Sequence, residues 1–156
     1  MSPLLQKLNL KAQRTLLVLN APESFTRELF GLEGSTILTD PRPGRNVEFG
    51  IAFSLTKREL DLHSRILAEH SSGDAVIWLA YPKTSSKKFR CDFNRDIGWD
   101  VMGESGFEAV RQVSIDDDWS ALRFRRVEFI KTMVRNTSLA GTAVGKARTE
   151  RNKEAT

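Results

Sequence analysis

The chain has 156 residues, 40% of them hydrophobic and 28% charged, which is the composition of a folded globular protein and excludes low-complexity and collagen-like architectures. Its length fits one domain around a single core, and a lone cysteine, Cys91, excludes an internal disulfide framework and suits a reducing cytoplasm. The net charge of +4 belongs to the C-terminus: residues 1–130 hold 18 basic and 18 acidic side chains, whereas residues 131–156 hold six and two.

From the N-terminus, residues 2–8 read as a short helix capped by Ser2, not as a signal segment. Residues 15–20 (TLLVLN) are a continuous apolar run, the pattern of a strand covered on both faces. Pro22 and Glu23 open a helix that is expected to send Phe25, Leu29 and Phe30 into the core and to stop near Gly31 or Gly34. Residues 35–40 (STILTD) form a second short strand, and residues 41–46 (PRPGRN) a turn-rich loop.

A third strand follows at residues 47–55. Thr56 and Glu59 then make a capping box, starting a helix whose inner face carries Leu60, His63 and Leu67. Gly73 and Asp74 turn the chain into a fourth buried strand at residues 75–81. After a basic loop at residues 82–90, residues 94–105 are assigned a helix, although Gly98 falls inside it. Residues 107–115 and 121–127 close the domain as an antiparallel pair around Asp116, Asp117 and Asp118, too short a link for any other arrangement. Trp119 is expected to cover that edge of the core. No run reaches the roughly 18 apolar residues of a membrane span.

Strands separated by helices are expected to lie parallel, with right-handed crossovers. The fold class is therefore α/β: a three-layer, Rossmann-like, mostly parallel sheet ending in an antiparallel hairpin. It occupies residues 1–130 as one domain, with residues 131–156 as a basic, disordered tail. This order over residues 12–128 resembles a reduced form of the S-adenosylmethionine-dependent methyltransferase fold. Two departures accompany the resemblance. Residues 20–24 (NAPES) lack the glycines of the methyltransferase turn, and residues 41–46 stand where a further strand and helix are expected. The segments LNAPE (19–23), WLAYPK (78–83) and DWSALRF (118–124) also resemble a family of small bacterial proteins known only as a domain of unknown function. That second resemblance implies a compact Rossmann-like domain and supplies no reaction.

In such a sheet, ligands bind beyond the carboxyl ends of the strands, where the strand order reverses. The candidate lining is Asn20 and Glu23 after the first strand, Asp40 after the second, Ser54 and Thr56 after the third, and Tyr81, Lys83, Ser85 and Ser86 after the fourth. Asp40 ends its strand twenty positions after Asn20, where an acid holds ribose hydroxyls in nucleotide-binding sheets. The alternative is that these residues are caps and turns: Thr56 a cap, Glu23 a dipole partner, Asp40 a turn residue.

Lys83, Lys87, Lys88 and Arg90, near Tyr81 and Phe89, form a candidate anion or nucleic-acid contact, or simply a solvated loop. Arg111, Arg123, Arg125 and Arg126 are either a second basic patch or partners of Glu108, Asp116 and Glu128. The three aspartates read as turn residues, because neighbours in a strand point opposite ways and cannot share one ion. The histidines lack metal-ligand spacing, Cys91 lacks a catalytic entourage, and no catalytic residue or metal site is assigned.

The expected function is a ligand- or partner-binding protein without efficient catalysis, taking a small polar ligand or a protein and needing no cofactor. A reduced methyltransferase-like or nucleotide-binding enzyme, with S-adenosylmethionine or a nucleotide as cofactor, is the first alternative. A nucleic-acid-associated protein using the loop at 83–90 and the basic tail is the second.

Overall fold

The computed structural model describes residues 2–93 and 98–130. In chain order the elements are α1 (Pro3–Lys7), β1 (Thr15–Leu19), α2 (Glu23–Glu28), β2 (Thr36–Leu38), β3 (Val47–Phe53), α3 (Lys57–Glu69), β4 (Ser71–Pro82), α4 (Asp100–Glu104), β5 (Phe107–Ser114) and β6 (Trp119–Arg126), then a single 3-10 turn at Val127–Phe129. The strands make one sheet in the order β2-β1-β3-β4-β6-β5. The first four are parallel, and β6 runs antiparallel to both β4 and β5. This is a Rossmann-like sheet closed by an antiparallel pair, as the element order implies.

Alternation along the buried strands divides the core in two. Leu17, Leu19, Ile77, Leu79 and Leu122 face one side with Leu60 and Leu67 of α3 and Met102 of α4. Leu16, Val18, Phe49, Ile51 and Trp78 face the other with Leu5 of α1 and Phe25 of α2. Both faces of β1, β3 and β4 are thus covered, which is why β1 and residues 75–81 of β4 read as unbroken apolar runs. Gly50 lets α3 sit close to the sheet: a Cβ there would lie 2.6 Å from a methyl of Leu67.

The capping box forms as its spacing dictates. Thr56 Oγ1 accepts the Glu59 amide, while Glu59 Oε1 accepts the amides of Thr56 and Leu55. Trp119 is buried, with its ring 5.1 Å from those of both Phe53 and Phe89. The edge of the core it covers is therefore aromatic.

Four expectations change. Phe30 is 75% exposed rather than in the core; α2 ends at Glu28, so Phe30 lies in the following turn, off the helix's inner face. Gly73 and Asp74 do not precede β4 but lie inside it. The β3–β4 register jumps from Val47 opposite Ser71 to Phe49 opposite Val76, with Gly73 at a φ of +60° in the irregular stretch. Of the helix assigned to 94–105, the described part is helical only over Asp100–Glu104, because Gly98 has a φ of +102°, outside the helical range. Residues 94–97 and the tail at 131–156 lie outside the described residues. Finally β2 is only Thr36–Leu38, so Asp40 stands two residues beyond the strand.

Candidate functional site

The strand order reverses at β1, which pairs with β2 on one side and β3 on the other. The turn leaving β1 at this switch point contains no glycine, yet its backbone goes left-handed: Asn20 has a φ of +57°. Asparagine is among the few residues that tolerate this region, so the turn keeps a shape that favours glycine while carrying a side chain. That side chain spans the switch point. Asn20 Nδ2 donates to the Phe53 carbonyl at the end of β3 (3.0 Å) and to Glu59 Oε2 in the capping box (3.4 Å). The gap between the ends of β1 and β3 is therefore bridged by the protein itself.

Open space lies one strand further out. A cavity of 310 Å³ is lined by Val18, Asn20 and Ala21 at the end of β1, Thr26, Leu29 and Phe30 of and just after α2, and Ile37 and Thr39 of and just after β2. Its walls are mostly apolar. Phe30 stands at its mouth, and its polar atoms are the Asn20 amide, two threonine hydroxyls and backbone. Protein ligand pockets run from about 300 to 1,000 Å³, so this one is at the size of a single nucleoside-sized group. Asp40 follows Thr39 directly in the chain and is exposed.

Of the residues expected to line the crevice, Asn20 alone is in this cavity, with Asp40 next in chain to its wall. Glu23 is exposed and paired with Arg27 one helical turn on (2.9 Å). Ser54 is fully buried, its Oγ 2.8 Å from His63 Nδ1. Thr56 is spent on the cap. Burial holds the His63 imidazole below its ordinary value, and the charge of Glu59 opposes that only partly.

Tyr81 points the other way, its ring packed among Phe93 and Trp99 and its hydroxyl accepting from Gln112 Nε2 (2.9 Å). Lys83 Nζ donates to Ser114 Oγ (2.6 Å), and buried Ser86 donates to Asp118 Oδ1 (2.8 Å) while accepting the Phe89 amide. Ser85 is exposed. Within the basic loop, Lys87, Lys88 and Arg90 are exposed, while Lys83 and Arg90 help line a smaller cleft of 170 Å³ with Cys91 and Phe93. Cys91 Sγ is 2.9 Å from the Phe93 carbonyl.

The aspartate turn behaves as a turn: Asp116 Oδ1 accepts the amides of Asp118 and Trp119. Of the expected acids, Glu108 stands opposite Arg125 in register and the charge of Glu128 acts on Arg126, while the hydrogen bonds go elsewhere. Arg125 makes a two-pronged pair with Asp74 (2.6 and 2.7 Å), and Arg126 donates to the carbonyls of Ala68, Ser71 and Gly73 while lying over the Phe107 ring. Asp74 lies some fifty positions earlier on β4, the strand beside β6, at the diagonal position to Arg125 when the register is continued.

The cavity residues that sequence reasoning missed are Thr26, Leu29, Phe30, Ile37 and Thr39. Thr39 carried a signal, as the last residue before Asp40. Phe30 carried the opposite one, because an aromatic at helical spacing reads as core. Its exposure follows from where α2 stops.

No helix among the described residues is long and apolar enough to cross a membrane. No family model matches the chain, and no curated protein is similar to it in sequence. Solved structures share its fold at very low identity. The N-methyltransferase NodS from Bradyrhizobium japonicum WM9 superposes with a TM-score of 0.52 and 10% identity, over 78% of this chain and 92% of that one. The same enzyme in complex with S-adenosyl-L-homocysteine gives 0.51 and 11%, over 79% and 84%. The CcbJ methyltransferase from Streptomyces caelestis gives 0.50 and 6%, over 79% and 86%. The fold is that of methyltransferases; identities this low carry the architecture and not the activity.

Proposed function

We propose that this protein is a reduced methyltransferase-fold domain that binds an S-adenosyl compound or a related nucleoside at the carboxyl ends of β1 and β2. The observation that carries the reading is the 310 Å³ cavity beside the left-handed turn at Asn20, immediately outside the strand-order reversal. Val18, Leu29 and Ile37 offer apolar walls to a base, Phe30 a face to stack on, and Thr26 and Thr39 hydroxyls to hold its edge. Exposed Asp40 is the acceptor for ribose hydroxyls. An S-adenosylmethionine bound there would supply an electrophilic methyl group. The chain's own part is to bind and orient, since none of the eight lining side chains ionises.

That same lining favours a second reading, in which the domain binds its ligand and performs no chemistry. The two readings share a site and separate at the assay. Calorimetric titration of the full chain with S-adenosylmethionine, S-adenosylhomocysteine and adenosine is expected to give binding that weakens on Asp40→Ala and on Phe30→Ala. Asn20→Gly keeps the left-handed turn, removes the bridge to Phe53 and is expected to tighten binding. If none of the three compounds binds at millimolar concentration, the nucleoside reading is wrong. Binding without transfer to any nucleophile supports the second.

A further inference from the structure

On the sheet face that α1 covers, three arginines converge away from the cavity. Arg111 on β5 stands directly opposite Arg123 on β6, and Arg125 follows two residues along β6 on the same face. Arg123 also pairs in register with Trp78 of β4, whose indole donates to the Leu8 carbonyl at the end of α1. Asn9 comes next, and Arg111 Nη1 donates to its Oδ1 (3.3 Å). The cluster thus has a floor and a wall.

Its three guanidinium groups face two acids, Asp74 and the buried Glu108 opposite Arg125 in register. Like charges directly opposite one another on neighbouring strands destabilise the pair. Asp74 is the acid that acts on Arg123, and both its oxygens are held by Arg125. Arg123 is half-buried, and its Nε is buried with no hydrogen-bond partner among the described residues. Burial pushes the Arg123 guanidinium below its ordinary value; Arg125 adds to this, Asp74 opposes it, and Arg111 adds further. A buried guanidinium N–H left unpaired costs stability that an acceptor would recover. Lysines can screen a surface, but a planar fork beside two others is suited to an oxyanion.

We propose that Arg111, Arg123 and Arg125 form a binding site for a phosphate group. The group is either a free phosphate or phosphomonoester, or a phosphodiester of single-stranded nucleic acid; the chemistry recognised is the same. Bound there, its oxygens would accept from Arg123 and Arg111 and supply the counter-charge that Asp74 does not.

The test measures thermal stability of the full chain in sodium phosphate against sodium chloride at matched ionic strength. Phosphate is expected to raise the Tm by more than about 2 °C. Arg123→Gln and, separately, Arg111→Gln are expected to abolish the difference. Because Arg111 is exposed, its variant tests the site even where Arg123→Gln does not fold. A fluorescent single-stranded oligonucleotide forms the second arm. Binding lost in both variants, with a salt slope that shrinks by about one for each arginine removed, assigns the phosphodiester source; a phosphate shift without oligonucleotide binding assigns the free one. Neither a phosphate-specific shift nor oligonucleotide binding would mean that Asp74, with Glu108 opposite Arg125 in register, already balances the cluster, and the proposal falls. It falls equally if the variants keep the full shift.

Discussion

The carboxyl edge of the sheet has two halves that use polar residues differently. At the ends of β3 and β4 the polar groups close on one another: Ser54 with His63, Lys83 with Ser114, Ser86 with Asp118. At the ends of β1 and β2 a cavity stays open, although its lining is mostly apolar and its one strand-end amide, Asn20, reaches across to Phe53. A polar residue at a strand end is therefore weak evidence of a ligand contact. Whether it is free depends on what the neighbouring loop brings against it. The loop at 83–93 folds back onto the β5–β6 turn and onto the start of α3, where Asp92 accepts the Lys57 amide (2.6 Å). The loop after β2 makes its side-chain contact at the opposite edge of the sheet, where Asn46 Nδ2 donates to Ser72 Oγ near the start of β4 (3.3 Å).

The contrast is sharpest where an aromatic plugs the closed half. Trp119→Ala is expected to cost about 3–5 kcal/mol in urea unfolding, because the ring is buried against Phe53 and Phe89. A loss below about 1 kcal/mol would show that the closed half is not held by this plug. Ser86→Ala removes a donor to Asp118 and an acceptor for Phe89 in a buried position, and should cost about 1–3 kcal/mol. An unchanged midpoint would reclassify that contact as incidental.

The Ser54–His63 pair gives the closed half a pH dependence. Burial lowers the folded-state value of His63 below its ordinary 6.5. The unfolded chain therefore binds a proton first as the pH falls. Stability from this source is highest above about 6.5, declines as the pH drops towards the folded-state value, and is flat below it. The total loss is about 1.4 kcal/mol for each unit of lowering. His63→Asn should remove that slope in unfolding curves between pH 7 and 5; if it leaves the slope unchanged, another group is titrating. At the open half, Phe30→Ala is expected to change stability by no more than about 0.5 kcal/mol, since the ring is 75% exposed. A larger loss would mean that the ring is part of the core after all.

Much of the fold was legible along the chain because its signals are local. The apolar runs at 15–20 and 75–81, the Thr56–Glu59 spacing and the three-aspartate link each determine their own conformation through backbone hydrogen bonding and burial period. The Gly73–Asp74 irregularity was not legible: turn residues look alike whether they precede a strand or bulge within one. The site was legible only as an edge of the sheet. Asn20 falls in the cavity lining, but its φ of +57° and its reach to Phe53 depend on β3 lying alongside.

By itself, then, the sequence determined a parallel α/β sheet closed by an antiparallel hairpin, because strand and helix periods and link lengths are properties of contiguous residues. Tertiary structure alone decided which strand-end side chains are sealed and which line a cavity. It also decided that Arg125 finds Asp74 while Arg123 keeps an N–H without a partner among the described residues. Apart from Ser54 and His63, nine positions apart, these contacts join residues about thirty to fifty positions apart, and a side chain's partner is set by what the fold brings beside it.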